Sequence, residues 1–341
     1  MSFTQSLLNN KNTQKLIKTQ DIFLKSYHRK KSFFQFLDSI YQNDISKYDI
    51  YKVFGDFKKY KINKSIFLDC GSWLVFNYFY NKEELRLDKA NFCKKDKLCQ
   101  ACAVRRAYKQ QNKFLDILYS NHQLLSNNWY YIVIPVKHSK EESLIEVFNK
   151  IIKIRKSISQ SIRDAKKGRK SGIWGNFKGG MGSIEITKTH NGWNVHLNYL
   201  LNASNGSNLR LKVVRNRNGQ LSYQNDEIRL FLMRIANSQM HNISKLDFST
   251  DESIKTNLVE VLKYSLKFSS LNNEDLLEVC LKLHRRQLFF TFGNLRGVEV
   301  EDKELEGEEF IDNEFIQLIY QRVNDKYNFY KSDYSRVVKS S

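Results

Sequence analysis

Four cysteines stand close together in the first third of the chain: Cys70, then Cys93, Cys99 and Cys102 in the spacing C-x5-C-x2-C. Thiolates are soft ligands, a C-x2-C turn presents two of them together, and four converging in a tetrahedron make a structural zinc site. Lys94, Lys95, Lys97, Arg105 and Arg106 flank the cluster. They would offset thiolate charge, and Arg105 and Arg106 are also candidate phosphate contacts. The competing reading is four independent cysteines. The fifth, Cys280, falls on an apolar helical stretch and reads as a small core residue.

A second group pairs a carboxylate with an imidazole. Ser183–Thr189 and Trp193–Leu201 read as strands joined at Asn191-Gly192, a dipeptide suited to a type I′ hairpin turn. With that turn, Thr187 faces His196 and Glu185 faces Asn198, all four on one side of the hairpin. One carboxylate, one imidazole and one amide oxygen suit Mg²⁺ or Mn²⁺, with positions left open for a phosphate. A slip of one residue would turn these ligands away. A histidine satisfied by ordinary hydrogen bonds is the alternative.

A third group lies on one helical face: Glu260, Lys263, Tyr264 and Lys267 at i, i+3, i+4 and i+7. Two lysines beside a tyrosine would lower its pKa from about 10 and neutralise charge at a phosphodiester. A carboxylate one turn away could orient or deprotonate water. Helical geometry alone does not choose among 18 tyrosines, and a solvated face is the plain alternative.

The elements that must position these groups follow from composition and pattern. With 341 residues, 41% of them hydrophobic, the chain can form two or three folded domains. A net charge of +20 points to a polyanionic partner, nucleic acid or a membrane surface. The longest apolar run, Tyr130–Val136, is too short to span a bilayer, and no basic amphipathic helix singles itself out. Met1–Lys11 lacks the apolar core of a secretory signal, so a cytoplasmic protein is expected.

Residues 1–64 read as a basic helical region, 65–125 as a zinc- and DNA-binding module containing a helix over Val104–Leu125. A strand at Trp129–Lys137 holds the only proline, Pro135, which suggests an edge or an interruption. Residues 143–166 read as a helix. From Lys150 to Lys170 nine Lys or Arg face one Asp, giving candidate DNA contacts at Lys153, Arg155, Lys156, Lys166, Lys167, Arg169 and Lys170. Helices at 225–241 and 252–268 and a strand at Leu288–Phe292 complete a unit over 126–298. Residues 299–341 turn from acidic to basic. Strands interleaved with helices and at least one hairpin indicate an α+β fold on an antiparallel sheet.

Taken in order, these segments resemble one known family. They are Cys70-Gly71, the three later cysteines with Arg105-Arg106, and Trp129–Val136. Gly182–Thr187, Trp193–Asn198, Glu260–Lys267 and Phe292–Arg296 follow. The chain resembles the rolling-circle plasmid replication initiators with one C-terminal catalytic tyrosine, within the HUH endonuclease class. The resemblance implies a ferredoxin- or RRM-like antiparallel domain and a site-specific nickase that joins one origin strand to Tyr264 as a 5′-phosphotyrosine. Lys267 matches the family's Tyr-x-x-Lys, and Glu260 the carboxylate that some members use for water at termination. The family's metal motif, Trp-His-x-His-hydrophobic-His, departs here: Asn194 and Asn198 replace two histidines and only His196 remains. Implied partners are double-stranded origin DNA, single-stranded DNA, a host helicase and a polymerase, with no membrane. A transposase or relaxase of the same class, and a DNA-binding regulator with a degenerate site, stay open.

Overall fold

The computed structural model describes residues 8–42, 47–169, 171–204, 209–215, 221–237, 241–248, 250–262, 271–296 and 314–336. It is a mixed α and β chain with antiparallel sheets and a helical N-terminal region. The chain divides into two compact units, Met1–Arg105 with Glu301–Ser341, and Arg106–Val300.

The first unit starts with a 33-residue helix, α1 (Asn10–Gln42), followed by α2 (Lys47–Phe54) and α3 (Phe57–Asp69). On α1 the residues Leu16, Phe23, Phe33, Phe34 and Leu37 fall at helical spacing and are buried. Phe34 packs its ring against Phe54, Tyr60 and Phe67. Tyr60 donates to Asp38 Oδ1 at 2.9 Å, which satisfies its buried hydroxyl. Asp56 caps α3 by accepting from the Lys59 amide.

Four strands form this unit's sheet: β1 (Trp73–Phe79), β2 (Glu84–Ala90) and, from the far end of the chain, two more. Those, β10 (Glu314–Val323) and β11 (Lys326–Arg336), give the order β11-β10-β1-β2. Leu74 pairs with Tyr320 and Phe76 with Leu318. Residues 314–336, within the segment read from sequence as acidic and then basic, therefore form a hairpin of the first unit. The division expected at residue 64 does not occur, since α3 runs to Asp69 and leads into β1.

The second unit begins within α4 (Gln100–Tyr119), which with the short α5 (His122–Ser126) accounts for the helix expected over Val104–Leu125. Its sheet contains β3 (Asn128–Pro135), β4 (Phe177–Thr189), β5 (Gly192–Ala203), β8 (Asn242–Leu246) and β9 (Phe289–Gly293), in the order β8-β3-β5-β4-β9 and antiparallel throughout. A small hairpin, β6 (Lys212–Arg215) and β7 (Leu221–Gln224), stands apart in pairing. Strand β3 is interior, not an edge. Pro135 is tolerated because it is the last residue of the strand, past the end of pairing with β8 at Val133.

The sheet has two differently covered faces. On one, Ile132, Ile134, Ile184, Ile186, Val195, Leu197 and Tyr199 are buried, and α6 (Leu144–Lys166) packs there with Val147, Phe148, Ile151, Ile154 and Ile158. A capping box, Ser143 with Glu146, starts that helix. On the other face Trp129, Met181 and Leu200 join a core with Phe114 and Leu118 of α4 and Ile254 and Leu258 of α8 (Asp251–Leu262). The remaining helices are α7 (Asp226–Ala236) and α9 (Asn273–Lys282). Glu278 of α9 accepts from the Leu144 amide and from Trp193 Nε1, tying α9 to the start of α6 and to β5.

Candidate metal centre and an open sheet face

The four cysteines of the first unit converge. Cys70 ends α3, Cys93 lies in the loop after β2, and Cys99 and Cys102 bracket the first turn of α4. All four sulfurs lie within 4.8 Å of one another and all four residues are buried. Sγ–Sγ separations are 3.7 Å for Cys70–Cys99, 3.8 Å for Cys70–Cys102 and 3.6 Å for Cys93–Cys102. Zn–S bonds of about 2.3 Å in a tetrahedron place sulfurs about 3.8 Å apart. The cluster could hold a metal ion such as zinc. The C-terminal hairpin braces it: Arg322 donates to the carbonyls of Cys70 and Leu68, and Tyr327 to that of Gly71.

Hydrogen bonds among the four sulfurs divide the cage, favouring the thiolate at Cys70 and Cys99 and the thiol at Cys93 and Cys102. Hydrogen bonding, first to Cys102 and then to Cys93, lowers the Cys70 thiol to about 7, and the Lys30 charge adds to this. Cys99 is lowered too, first by Cys102, then by Cys70 and Cys93, with Lys30 again contributing. Cys93 and Cys102 are raised, first by their hydrogen bonds to Cys102 and Cys70 respectively. An ion would displace those protons.

Sequence reading missed two members of this surrounding. Ser26 and Lys30, one turn apart on α1, are buried, and Ser26 Oγ lies 3.2 Å from Cys99 Sγ. The available signal was polar residues on an apolar stripe: both continue the spacing of Leu16, Phe23, Phe33 and Leu37. The expected neighbours behave differently. Arg105 lays its guanidinium 3.9 Å from the Phe92 ring centroid, and Arg106 is exposed.

In the second unit the β4–β5 hairpin is present, with its register shifted. Thr189 pairs with Gly192, so His190-Asn191 forms the turn, and Glu185 stands opposite His196, not opposite Asn198. Thr187 faces Asn194 and Ser183 faces Asn198. The shift follows from Gly192, whose φ is +95° and whose missing Cβ would sit 2.9 Å from the Ser139 carbonyl oxygen. Glycine is needed there for close backbone approach, so it closes the turn and does not occupy its centre. Because the pairing moves by two residues, side-chain parity survives. Glu185, His196 and Asn198 share one face, as expected, and Asn198 Nδ2 donates to Glu185 Oε2 at 3.4 Å.

That face is the one on which α8 packs through Ile254 and Leu258. Its covered end carries Met181 and Leu200. At the other end Val133, Pro135, Glu185, Thr187, Asn194 and His196 are only half-buried, while Asn198 is 5% exposed. The arrangement leaves a carboxylate and an imidazole side by side on a partly open surface. Among the described residues, only the cysteine cage unites three or more Cys, His, Asp or Glu ligands. Glu185 and His196 are a pair, extended by the Asn198 amide.

The remaining expected residues fall as follows. Glu260 lies in α8 by its backbone. Its side chain, Tyr264, Lys267 and Lys170 lie outside the described residues. Lys153, Lys156, Lys166, Lys167 and Arg169 are exposed along and just beyond α6. Arg155 is half-buried, its guanidinium 3.9 Å from the Phe290 ring centroid, and burial lowers its pKa. Lys166 donates to the Lys178 carbonyl. This basic stretch covers the sheet face opposite Glu185 and His196. No described helix is long and apolar enough to cross a membrane.

No family model, no curated protein and no solved structure matches this chain.

Proposed function

We propose that this chain is a rolling-circle replication initiator of the HUH type, a single-strand DNA nickase and rejoining enzyme. One observation carries the reading most: Glu185, His196 and Asn198 lie on the sheet face packed by α8, whose sequence runs on to Tyr264 two residues after Leu262. Supporting it are the charge of +20 and the five-stranded antiparallel sheet.

In this reading Glu185, His196 and the Asn198 oxygen would hold Mg²⁺ or Mn²⁺, which when bound polarises a scissile phosphate. Tyr264 attacks the phosphorus, its oxygen forms the new P–O bond, and the 3′ oxygen leaves to become a hydroxyl. The phosphotyrosine retains the bond energy, so attack by a 3′ hydroxyl rejoins the strand without ATP. Lys267 neutralises charge beside the tyrosine, and Glu260 serves a second, terminating transfer. The freed 3′ end primes a polymerase, and a host helicase exposes single strand. The cysteine cage is a structural zinc centre in the DNA-binding part of the chain.

The test is covalent capture. The protein is incubated with Mn²⁺ and single-stranded oligonucleotides tiled across the DNA that encodes it, then run under denaturing conditions. A covalent adduct lost in Tyr264→Phe and kept when neighbouring tyrosines are changed is expected. No adduct with any divalent ion would sink the enzyme reading. A second reading, a DNA-binding regulator with a spent site, is favoured by the Asn198 amide turned as donor towards Glu185. Duplex binding untouched by Tyr264→Phe, with no adduct from the wild type, would select it.

A further inference from the structure

A buried ammonium needs a negative partner, and among the described residues Lys30 has none of the usual kind. It is 1% exposed, and its Nζ has no hydrogen-bond partner among the described residues. A charge so placed is costly unless an opposite charge lies near. Lys30 is buried one turn of α1 from Ser26, whose hydroxyl lies 3.2 Å from Cys99 Sγ, and its charge favours the thiolates of Cys70 and Cys99. The Ser26 hydroxyl also accepts from the Ala101 amide at 3.4 Å. Four protonated thiols would answer this poorly, since S–H is a weak acceptor. Four thiolates around a divalent ion keep a net double negative charge, which one ammonium halves.

We infer that Lys30 is the built-in counter-charge of a metal–tetrathiolate cage, and that Ser26 and Lys30 make the cage an inert structural centre and not a sulfur nucleophile. This rests on the metal reading of the four cysteines. Both residues are positioning residues and contribute no ligand. The Ser26 hydroxyl donates to Cys99, since a thiolate only accepts. Donation and the nearby positive charge draw electron density from sulfur, which slows attack on electrophiles and lowers the cost of gathering four thiolates. Partners of this kind typically change metal affinity ten- to a hundredfold.

The experiment uses the full chain. Wild type is expected to carry about one equivalent of zinc by elemental analysis. Lys30→Met keeps the length of the side chain and removes the charge. Competition with a chromophoric chelator should then show zinc held about ten- to a hundredfold more weakly. Iodoacetamide should alkylate the metal-loaded cage faster than in wild type. Ser26→Ala, a smaller change that keeps the fold if Lys30→Met does not, should speed alkylation chiefly at Cys99, read by peptide mass spectrometry. Unchanged affinity in Lys30→Met, or unchanged Cys99 alkylation in Ser26→Ala, overturns the inference while the metal site stands. Wild type that holds no metal, even after zinc addition, overturns both.

Discussion

The cysteine cage and the Glu185–His196 face bring ligands together in opposite ways. In the cage four sulfurs converge from α3, a loop and α4, every ligand is buried, and α1 seals one side. On the sheet, two strands place a carboxylate and an imidazole directly opposite each other and leave them half-exposed. Closed four-ligand sites stabilise folds, and open sites with fewer protein ligands meet substrates. On the proposed function, stability would rest with the first region and chemistry with the second, and each assignment can be broken separately.

The largest effect is expected at the cage. Cys99→Ser, or chelation of the wild type, removes a closure that in structural zinc sites contributes on the order of 10 kcal/mol of folding free energy. The first unit should lose its hydrogen-exchange protection, with α1 and β1 exchanging first. Strands β3, β4 and β5 should keep theirs. Retained protection in β1 after complete metal removal would show that the hydrophobic core of α1 and α3 suffices alone.

Next comes the open face. His196→Ala or Glu185→Gln should leave thermal unfolding near wild type and reduce covalent DNA capture by about a hundredfold or more. Loss of a metal ligand forfeits several kcal/mol of transition-state stabilisation, and each 1.36 kcal/mol is tenfold. Asn198→His tests the same face by gain. An imidazole where an amide now donates to Glu185 should tighten Mn²⁺ binding roughly tenfold. Equal capture by wild type and His196→Ala would remove the face from the chemistry.

How much of this was legible differs by region for physical reasons. The cysteine spacing was readable because two ligands sit within one turn of α4, and Cys70 could be added by residue type alone. The shared face of Glu185, His196 and Asn198 was readable because parity is local. The register was not, because Gly192 serves the backbone of Ser139 and Lys140 from another part of the chain. The sheet of the first unit was missed altogether. Strand β10 pairs with β1 across most of the sequence, and nothing near Glu314–Val323 announces a partner at Trp73–Phe79. Ser26 and Lys30 were passed over because the helical pattern scores apolar positions, and their meaning comes from the sulfurs they face.

A smaller effect sharpens the stability side. Burial, and then the hydrogen bond to Asp38, raises the Tyr60 pKa well above 10. An unfolded tyrosine loses its proton near pH 10. Above that pH the native state therefore binds more protons than the unfolded one, so stability is full below pH 10 and falls as pH rises. Tyr60→Phe should cost about 1 kcal/mol at neutral pH and flatten that alkaline fall in denaturant titrations. Some slope should persist, because burial also raises Tyr327 in the same unit.

The smallest effect concerns the sheet face away from Glu185 and His196. Lys153 and Lys156 are exposed on α6, which covers the side of the sheet away from Glu185 and His196. Groups so placed can hold DNA backbone but cannot touch a phosphate reacting at His196. Lys153→Ala with Lys156→Ala should weaken duplex binding only a few-fold and reduce the slope of log affinity against log salt by about 0.9 for each phosphate no longer neutralised. Capture of a saturating single-stranded oligonucleotide should stay at the wild-type rate. If the double variant leaves the salt slope intact, the basic stripe is a solvated helix face and the DNA path must be sought elsewhere. If it slows capture at saturation, the two faces are not separate in function, and the division between holding and cutting fails.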